Sequence, residues 1–418
     1  MRRIDHRLAL VLLAGAFTAS LVAACDAGTA TPTRANPSPT PRRTHGASAE
    51  FMTTGSMTMG RDSHTATLLL DGRVLIAGGE TSHEARSAEL YDPKTGTFSA
   101  TGSMVTGHVL GTATLLLDGR VLFVGGWDLQ KGMDWDPYNG TFRNISASAE
   151  LYDPKTGKFA QTGSPAQARY SHTATRLRDG RVLIAGGSLG ASDNPDATAT
   201  ATAEIYDPAT GKFTPTGSMT TPRMSHSATL LNDGRVLMLG SWSSSSAELY
   251  DPVEGKFSAA GSMKNTQSIN MATLLRDGRI LIIGWDLQGT VTEIYDPATG
   301  QFSSTGSMIN SLNFMWPIGG YLTTAPLLAD GRVLVPDVVG SGSGSVELYD
   351  PVTGKFTQGP PMSRYRSGFT ETLLSDGSVL FTGNEKPVYP MDVVPPTDSA
   401  SLAASTEADR ASAELYLP

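Results

Sequence analysis

From residue 51 onward the apolar and polar positions repeat as one unit, clearest as SHTATLLLDGRVLIAGG at 63–79 followed by SAELYDPKTGTFSATGSM at 87–104. Short β-branched and apolar runs bounded by turn residues predict four strands per unit, here A to D. Strand A is the HTATLLL run and strand B is RVLIAGG, joined by an Asp-Gly pair that predicts a two-residue hairpin. Strand C is SAELYD and strand D is TFSATGSM, joined through a Pro- and Gly-driven turn. The turn aspartates fall at Asp71, Asp118, Asp179, Asp233, Asp277, Asp330 and Asp376, and the Glu-(Leu/Ile)-Tyr triplets begin at Glu89, Glu150, Glu204, Glu248, Glu293, Glu347 and Glu414. Seven copies are therefore in phase.

A four-stranded unit cannot bury both faces alone, so repeats of this period stack radially as blades. The expected fold is all-β, a seven-bladed propeller of four antiparallel strands per blade. Its closure is also legible. Ala413-Glu414-Leu415-Tyr416-Leu417-Pro418 reads as strand C of the seventh unit, and Phe51-Met52-Thr53-Thr54-Gly55-Ser56-Met57 matches the strand D at 98–104 position for position. The strand at 51–57 should complete the last blade and leave no open sheet edge.

The Gly doublets ending strand B (Gly78-Gly79, Gly125-Gly126, Gly186-Gly187) and the Tyr ending strand C resemble the kelch repeat. The resemblance spans nearly all of 51–418. It departs in units four to seven, which lack the doublet, and in strand D, where Phe replaces the usual Trp. WD40 is the competing repeat, but the Trp-Asp pairs at Trp127, Trp135 and Trp285 sit in variable stretches and not at a strand end after Gly-His. Resemblance to kelch propellers also raises galactose oxidase, whose copper site needs a Tyr–Cys crosslink. The single cysteine here, Cys25, has another expected use.

Residues 1–24 carry Arg2, Arg3 and Arg7 and then an apolar run from Leu8 to Val22, the pattern of an export signal. Leu21-Val22-Ala23-Ala24-Cys25 resembles the bacterial lipobox, which implies lipidation of Cys25 as a membrane anchor. Residues 25–49 are rich in Pro, Thr, Ser and Ala and read as a disordered tether, and 50–418 as the propeller. The expected location is the extracytoplasmic face of a bacterial membrane. Glycine at 45 and proline at 25 of 418 residues suit many tight turns. A net charge of −8 with no basic cluster excludes nucleic acid as a partner. The chain is expected to act as a monomer.

The A–B and C–D turns are regular and share one face. The B–C stretches vary in length, and variable loops on a rigid scaffold are where binding resides. Trp127, Trp135, Trp242 and Trp285 fall in B–C stretches and Trp316 in a D–A connection; Trp127-Asp128-Leu129-Gln130 recurs as Trp285-Asp286-Leu287-Gln288. Indole rings beside carboxylates suit sugar faces or a protein hot spot, so Trp127, Asp128, Trp242, Trp285, Asp286 and Trp316 are ligand-binding candidates. A second set precedes strand A: Arg61, Arg169, Arg223 and Arg366, with His64, His172 and His226 three residues on. By resemblance to kelch adaptors that bind acidic peptides, these would ring the central mouth and hold an anion. Residues recurring in phase also serve as blade-packing devices, so that alternative stays open. The repeated Glu is read as structural, tying strand C to a neighbouring backbone, and the seven Phe starting strand D as inter-blade core.

No metal is expected, since the three histidines lie in different blades, and no cofactor or catalytic residue is assigned. The favoured function is a binding module for a carbohydrate or protein ligand on the variable face. The alternative is a carbohydrate-active enzyme of the sugar mutarotase or epimerase type that uses polar groups in the central mouth. An enzyme should concentrate its chemistry as an asymmetric polar cluster in one or two blades.

Overall fold

The computed structural model describes residues 48–418 apart from 62, 80–84, 129–134, 137–140, 143–144, 191–197, 242–243, 266–267, 287–288, 311–324, 337–343, 365, 367 and 384–410. Strand B is built on a continuous apolar run, as in Val74–Ala77, Val121–Val124 and Val182–Ala185, all of whose residues are buried. Such a run has no polar face to give to water, so both its faces must meet other sheets. Strand C is nearly as deeply buried, while the outer strand D alternates exposed and half-buried residues.

Six antiparallel sheets have four strands in the order A-B-C-D, and a further sheet, of the sixth blade, has three described strands, Val333–Pro336, Val346–Asp350 and Lys355–Gln358. Together they form a seven-bladed propeller. The ring closes as the sequence implies: Glu50–Thr53 pairs antiparallel with Ala413–Leu417, Phe51 opposite Tyr416. Seven apolar clusters lie between successive blades, each joining strands A, B and C of one blade to strand B and the Tyr of another. There is thus no single core; the interior is a ring of interfaces.

Each repeated motif proves to be a joint. The Asp-Gly hairpins differ slightly from expectation. Leu69 N–H donates to Arg73 O (2.8 Å) and Gly72 N–H to Leu69 O (3.0 Å), so Leu70 and Asp71 occupy the turn centre and Gly72 follows at φ 87°. This is the three-residue loop with a left-handed glycine. It is favoured because Asp71 accepts the Arg73 N–H at 3.0 Å and pairs with its guanidinium at 2.7 Å.

The Thr-Gly near the end of strand D latches one blade to the next. Thr101 and Thr162 hydroxyls bond the Tyr152 and Tyr206 hydroxyls of the following blades at 2.9 Å. Gly102 N–H donates to Gly157 O at 2.9 Å, and a Cβ at Gly102 would lie 2.2 Å from that oxygen. Glycine is required there by close approach, not by turn geometry. The strand-D Phe stacks against the strand-C Tyr of its own blade, as Phe98 does on Tyr91 with centroids 4.8 Å apart. The repeated Glu accepts backbone N–H groups of the incoming D–A connection: Glu150 holds Val105 (2.7 Å) and Thr106 (2.6 Å), and Glu293 holds Lys264 and Asn265 (both 2.9 Å).

Candidate functional site

The inner strands line an axial cavity of about 420 Å³ that opens at the starts of strand A, the side of the variable connections. Its wall is built by one repeated segment. In five blades the residue before the start of strand A is left-handed: Ser63 (φ 57°), Leu110 (55°), Ser171 (50°), Ser225 (48°) and Gly368 (61°). Such values are uncommon for non-glycine residues. Hydrogen bonds from blade to blade hold them there: Ser225 N–H donates to Ser171 O (2.9 Å), Ser171 N–H to Leu110 O (3.2 Å), and Ser63 N–H to Gly368 O (3.1 Å). The hydroxyl oxygens of Ser171 and Ser225 are shielded from solvent and have no hydrogen-bond partner among the described residues.

His64, His172 and His226 line this cavity. Each reaches across to the preceding blade, with Nε2 bonding Thr370 (3.0 Å), Thr112 (3.1 Å) and Thr173 (3.0 Å) respectively. Burial, and then the charges of Arg61 and Arg223, push His64 and His226 down to about 3; His172 is lowered well below its ordinary value by burial, then by Arg169. All three imidazoles are neutral at physiological pH. The Gly ending strand B of the preceding blade makes room for each ring. A Cβ at Gly125, Gly186 or Gly383 would lie 2.8, 2.7 or 2.6 Å from Cε1 of His172, His226 or His64. Blade five carries no such His, and Gly240 of blade four is covered by Ile269.

The arginines correct the expectation of an anion-binding ring. Arg61, Arg169, Arg223 and Arg366 have 0% exposure and are not in the cavity wall. Each guanidinium is spent within its own blade. Arg223 Nη1 donates to Gly240 O (2.7 Å) and Ser246 O (2.8 Å), and Nη2 donates to Ser246 Oγ (2.8 Å) and Glu248 Oε1 (3.0 Å). The same set holds Arg61 to Gly78, Ser87 and Glu89, and Arg366 to Gly383, Ser412 and Glu414. Arg169 bonds Gly186 O and Thr202. In blade two His108 substitutes, donating Nδ1–H to Gly125 O at 2.6 Å with Nε2 3.3 Å from Glu150. The arginine thus caps the ends of strands B and C: it supplies a donor to the carbonyl of the Gly ending strand B and a second donor to the strand-C carbonyl that this Gly N–H already reaches.

Trp127 and Trp285 are not in the cavity wall either. Trp127 is half-buried, its backbone bridged to Val109 and Ile145 and its ring edge-on to Tyr170 at 4.9 Å. Asp128 is buried, with Oδ1 accepting Gly107 N–H (3.3 Å) and 3.7 Å from Arg86. Trp285 and Asp286 end the extended strand Ile280–Asp286 and are half-buried. Trp242 and Trp316 lie outside the described residues, as does the side chain of Trp135.

One residue in the cavity wall was not singled out from the sequence. At the position equivalent to it, counted from the turn Asp, stand Ala66, Ala113, Ala174, Ala228, Ala272 and Ala325 in blades one to six, all but Ala325 in the cavity wall, whereas blade seven has Glu371. Glu371 pairs with Phe381 across the sheet, and its face also carries Phe369 and Leu373, packed with Leu328 and Leu334 of blade six. The residue is half-buried, yet both carboxylate oxygens are shielded and have no hydrogen-bond partner among the described residues. Burial holds its acidity far weaker than that of an ordinary glutamic acid. The signal was present as the one acid in a column of alanines. It becomes legible once that column is known to face the axis.

Fold and cavity together define a closed propeller with a small, uncharged axial pocket. No family model and no curated protein matches the chain. Among solved structures, a fungal alcohol oxidase of the AA5 family, determined in complex with copper, is similar with a TM-score of 0.62. Identity is 17%, over 89% of this chain and 77% of that one. At that identity the likeness is one of fold. Among the described residues, no group of three or more His, Cys, Asp or Glu is arranged to hold a metal ion.

Proposed function

We propose that this chain is a kelch-type, extracytoplasmic saccharide-binding module, anchored by lipid on Cys25, which takes its ligand in the axial cavity. The observation that carries the reading is the cavity itself. Its volume of about 420 Å³ falls within the range of small-molecule sites, roughly 300–1,000 Å³. Its wall offers serine and threonine hydroxyls and no cationic side chain among the described residues. Such a wall suits a neutral polyhydroxylated ligand better than the anion suggested by the arginines.

Ser171→Gly/Ser225→Gly removes two hydroxyls without protein partners at positions whose φ suits glycine. On a glycan panel the double variant should bind about tenfold more weakly, the weight of one or two hydrogen bonds, with an unchanged or higher melting temperature. Unchanged affinity, with loss on Trp127→Ala or Trp285→Ala instead, would move the site to the loops and favour a protein ligand. A second reading, an enzyme of the mutarotase type, is favoured by the acid that blade seven alone places in the wall. Mutarotation by the wild type that Glu371→Gln abolishes would replace the binding reading.

A further inference from the structure

Glu371 is the feature of the cavity that packing does not account for. All six other blades place alanine at its position and form their interfaces without a polar group there. A shielded carboxyl group without a donor is costly, and an ionised one far more so. Structural acids in this molecule are treated differently: Glu89, Glu248 and Glu414 each accept backbone N–H groups and pair with an arginine. Among the described residues Glu371 has neither. Nor does the described part of the wall supply a counter-charge, because its other ionisable groups are His64, His172 and His226, each neutral and bonded to a threonine. A cation would have to come from outside.

We propose that the axial cavity selects a small polyhydroxylated ligand bearing one ammonium group, an amino sugar, with Glu371 as its anionic anchor; this rests on the saccharide reading above. A change of side-chain rotamer brings the carboxylate from the apolar wall to the ligand. The Glu371 proton passes to solvent, and a carboxylate–ammonium pair replaces the lone neutral acid. Hydroxyls of the wall serve the sugar ring, as they would for a neutral sugar. The ammonium group adds affinity only through Glu371.

Calorimetric titration of the full chain with glucosamine, glucose and methylammonium at pH 7 tests this, using wild type, Glu371→Gln and Glu371→Ala. Alanine is the residue of the other blades, so that variant is expected to fold, and a melting curve for each checks it. Wild type should bind glucosamine at least about tenfold more tightly than glucose, equivalent to about 1.4 kcal/mol. Both variants should bind the two sugars within about twofold of each other. Equal binding of the two sugars by wild type, or a preference that survives Glu371→Gln, overturns the proposal and leaves the saccharide reading standing. If neither sugar binds, the saccharide reading fails. Methylammonium then decides the role of Glu371: binding by wild type and not by the variants supports a cation anchor, and no binding overturns it.

Discussion

At the scale of the residue, the four buried arginines show how a recurring charge is turned inward. Arg223 answers two backbone carbonyls, one hydroxyl and one carboxylate with no exposure of its own. Truncation leaves Glu248 as a buried charge without its cation and takes from Gly240 O the guanidinium donor, while Ser246 O keeps the Gly240 N–H. Arg223→Ala should therefore lower the unfolding free energy by about 3–5 kcal/mol, as breaking a buried pair does, read from the midpoint of a denaturant titration. Sugar affinity of the folded fraction should be unchanged, because the guanidinium does not reach the cavity. Glu371 is the opposite case, a buried polar group that serves no joint and so stands out as functional.

At the scale of the element, the Thr-Gly latch adds polar bonds to the apolar interfaces between blades. The Thr101–Tyr152 hydroxyl bond and the Gly102–Gly157 backbone bond both run from blade one to blade two. Thr101→Val should cost about 1 kcal/mol, the net worth of one hydrogen bond. Gly102→Ala should cost more, about 1–3 kcal/mol, because its Cβ would lie 2.2 Å from Gly157 O and strand D must move outward. Denaturant midpoints of the two variants should rank in that order; the reverse ranking would mean that the close approach is not what holds the joint. Blade six departs from the pattern, since Gly359 stands where blade one has Thr101, and the Tyr416 hydroxyl of blade seven accordingly has no partner among the described residues.

At the scale of the whole molecule, the ring is only as strong as its interfaces, and three of them contain a histidine that must stay neutral. His64 bridges blades one and seven, His172 blades three and two, and His226 blades four and three. Their folded values lie below the ordinary 6.5, at about 3 for His64 and His226. Below pH 6.5 the unfolded chain takes up protons that the folded chain cannot, so this stabilisation is complete above about 6.5 and is lost as pH falls towards 3. Melting temperature should decline through that window, and His64→Gln/His172→Gln/His226→Gln should flatten the decline. A wild-type profile flat from pH 6.5 to 4 would contradict the burial of these rings.

The sequence by itself determined the number of blades, the four strands of each and the closing pair, because these depend on period, alternation and turn chemistry, which are local. It also exposed the repeated Glu and Phe as structural, since a residue present in every copy serves what every copy needs. Only the tertiary structure decided where the arginines go: a spacing along the chain does not say whether a side chain turns to the axis or back into its own blade. It decided likewise that the Gly ending strand B and the His of the next blade are one device, a contact between residues some forty to fifty positions apart or, at Gly383 and His64, across the closure of the ring. And it gave Glu371 its meaning. One acid among alanines is a small departure in the sequence, but beside an axial cavity that holds no other charge it is the group most able to choose a ligand.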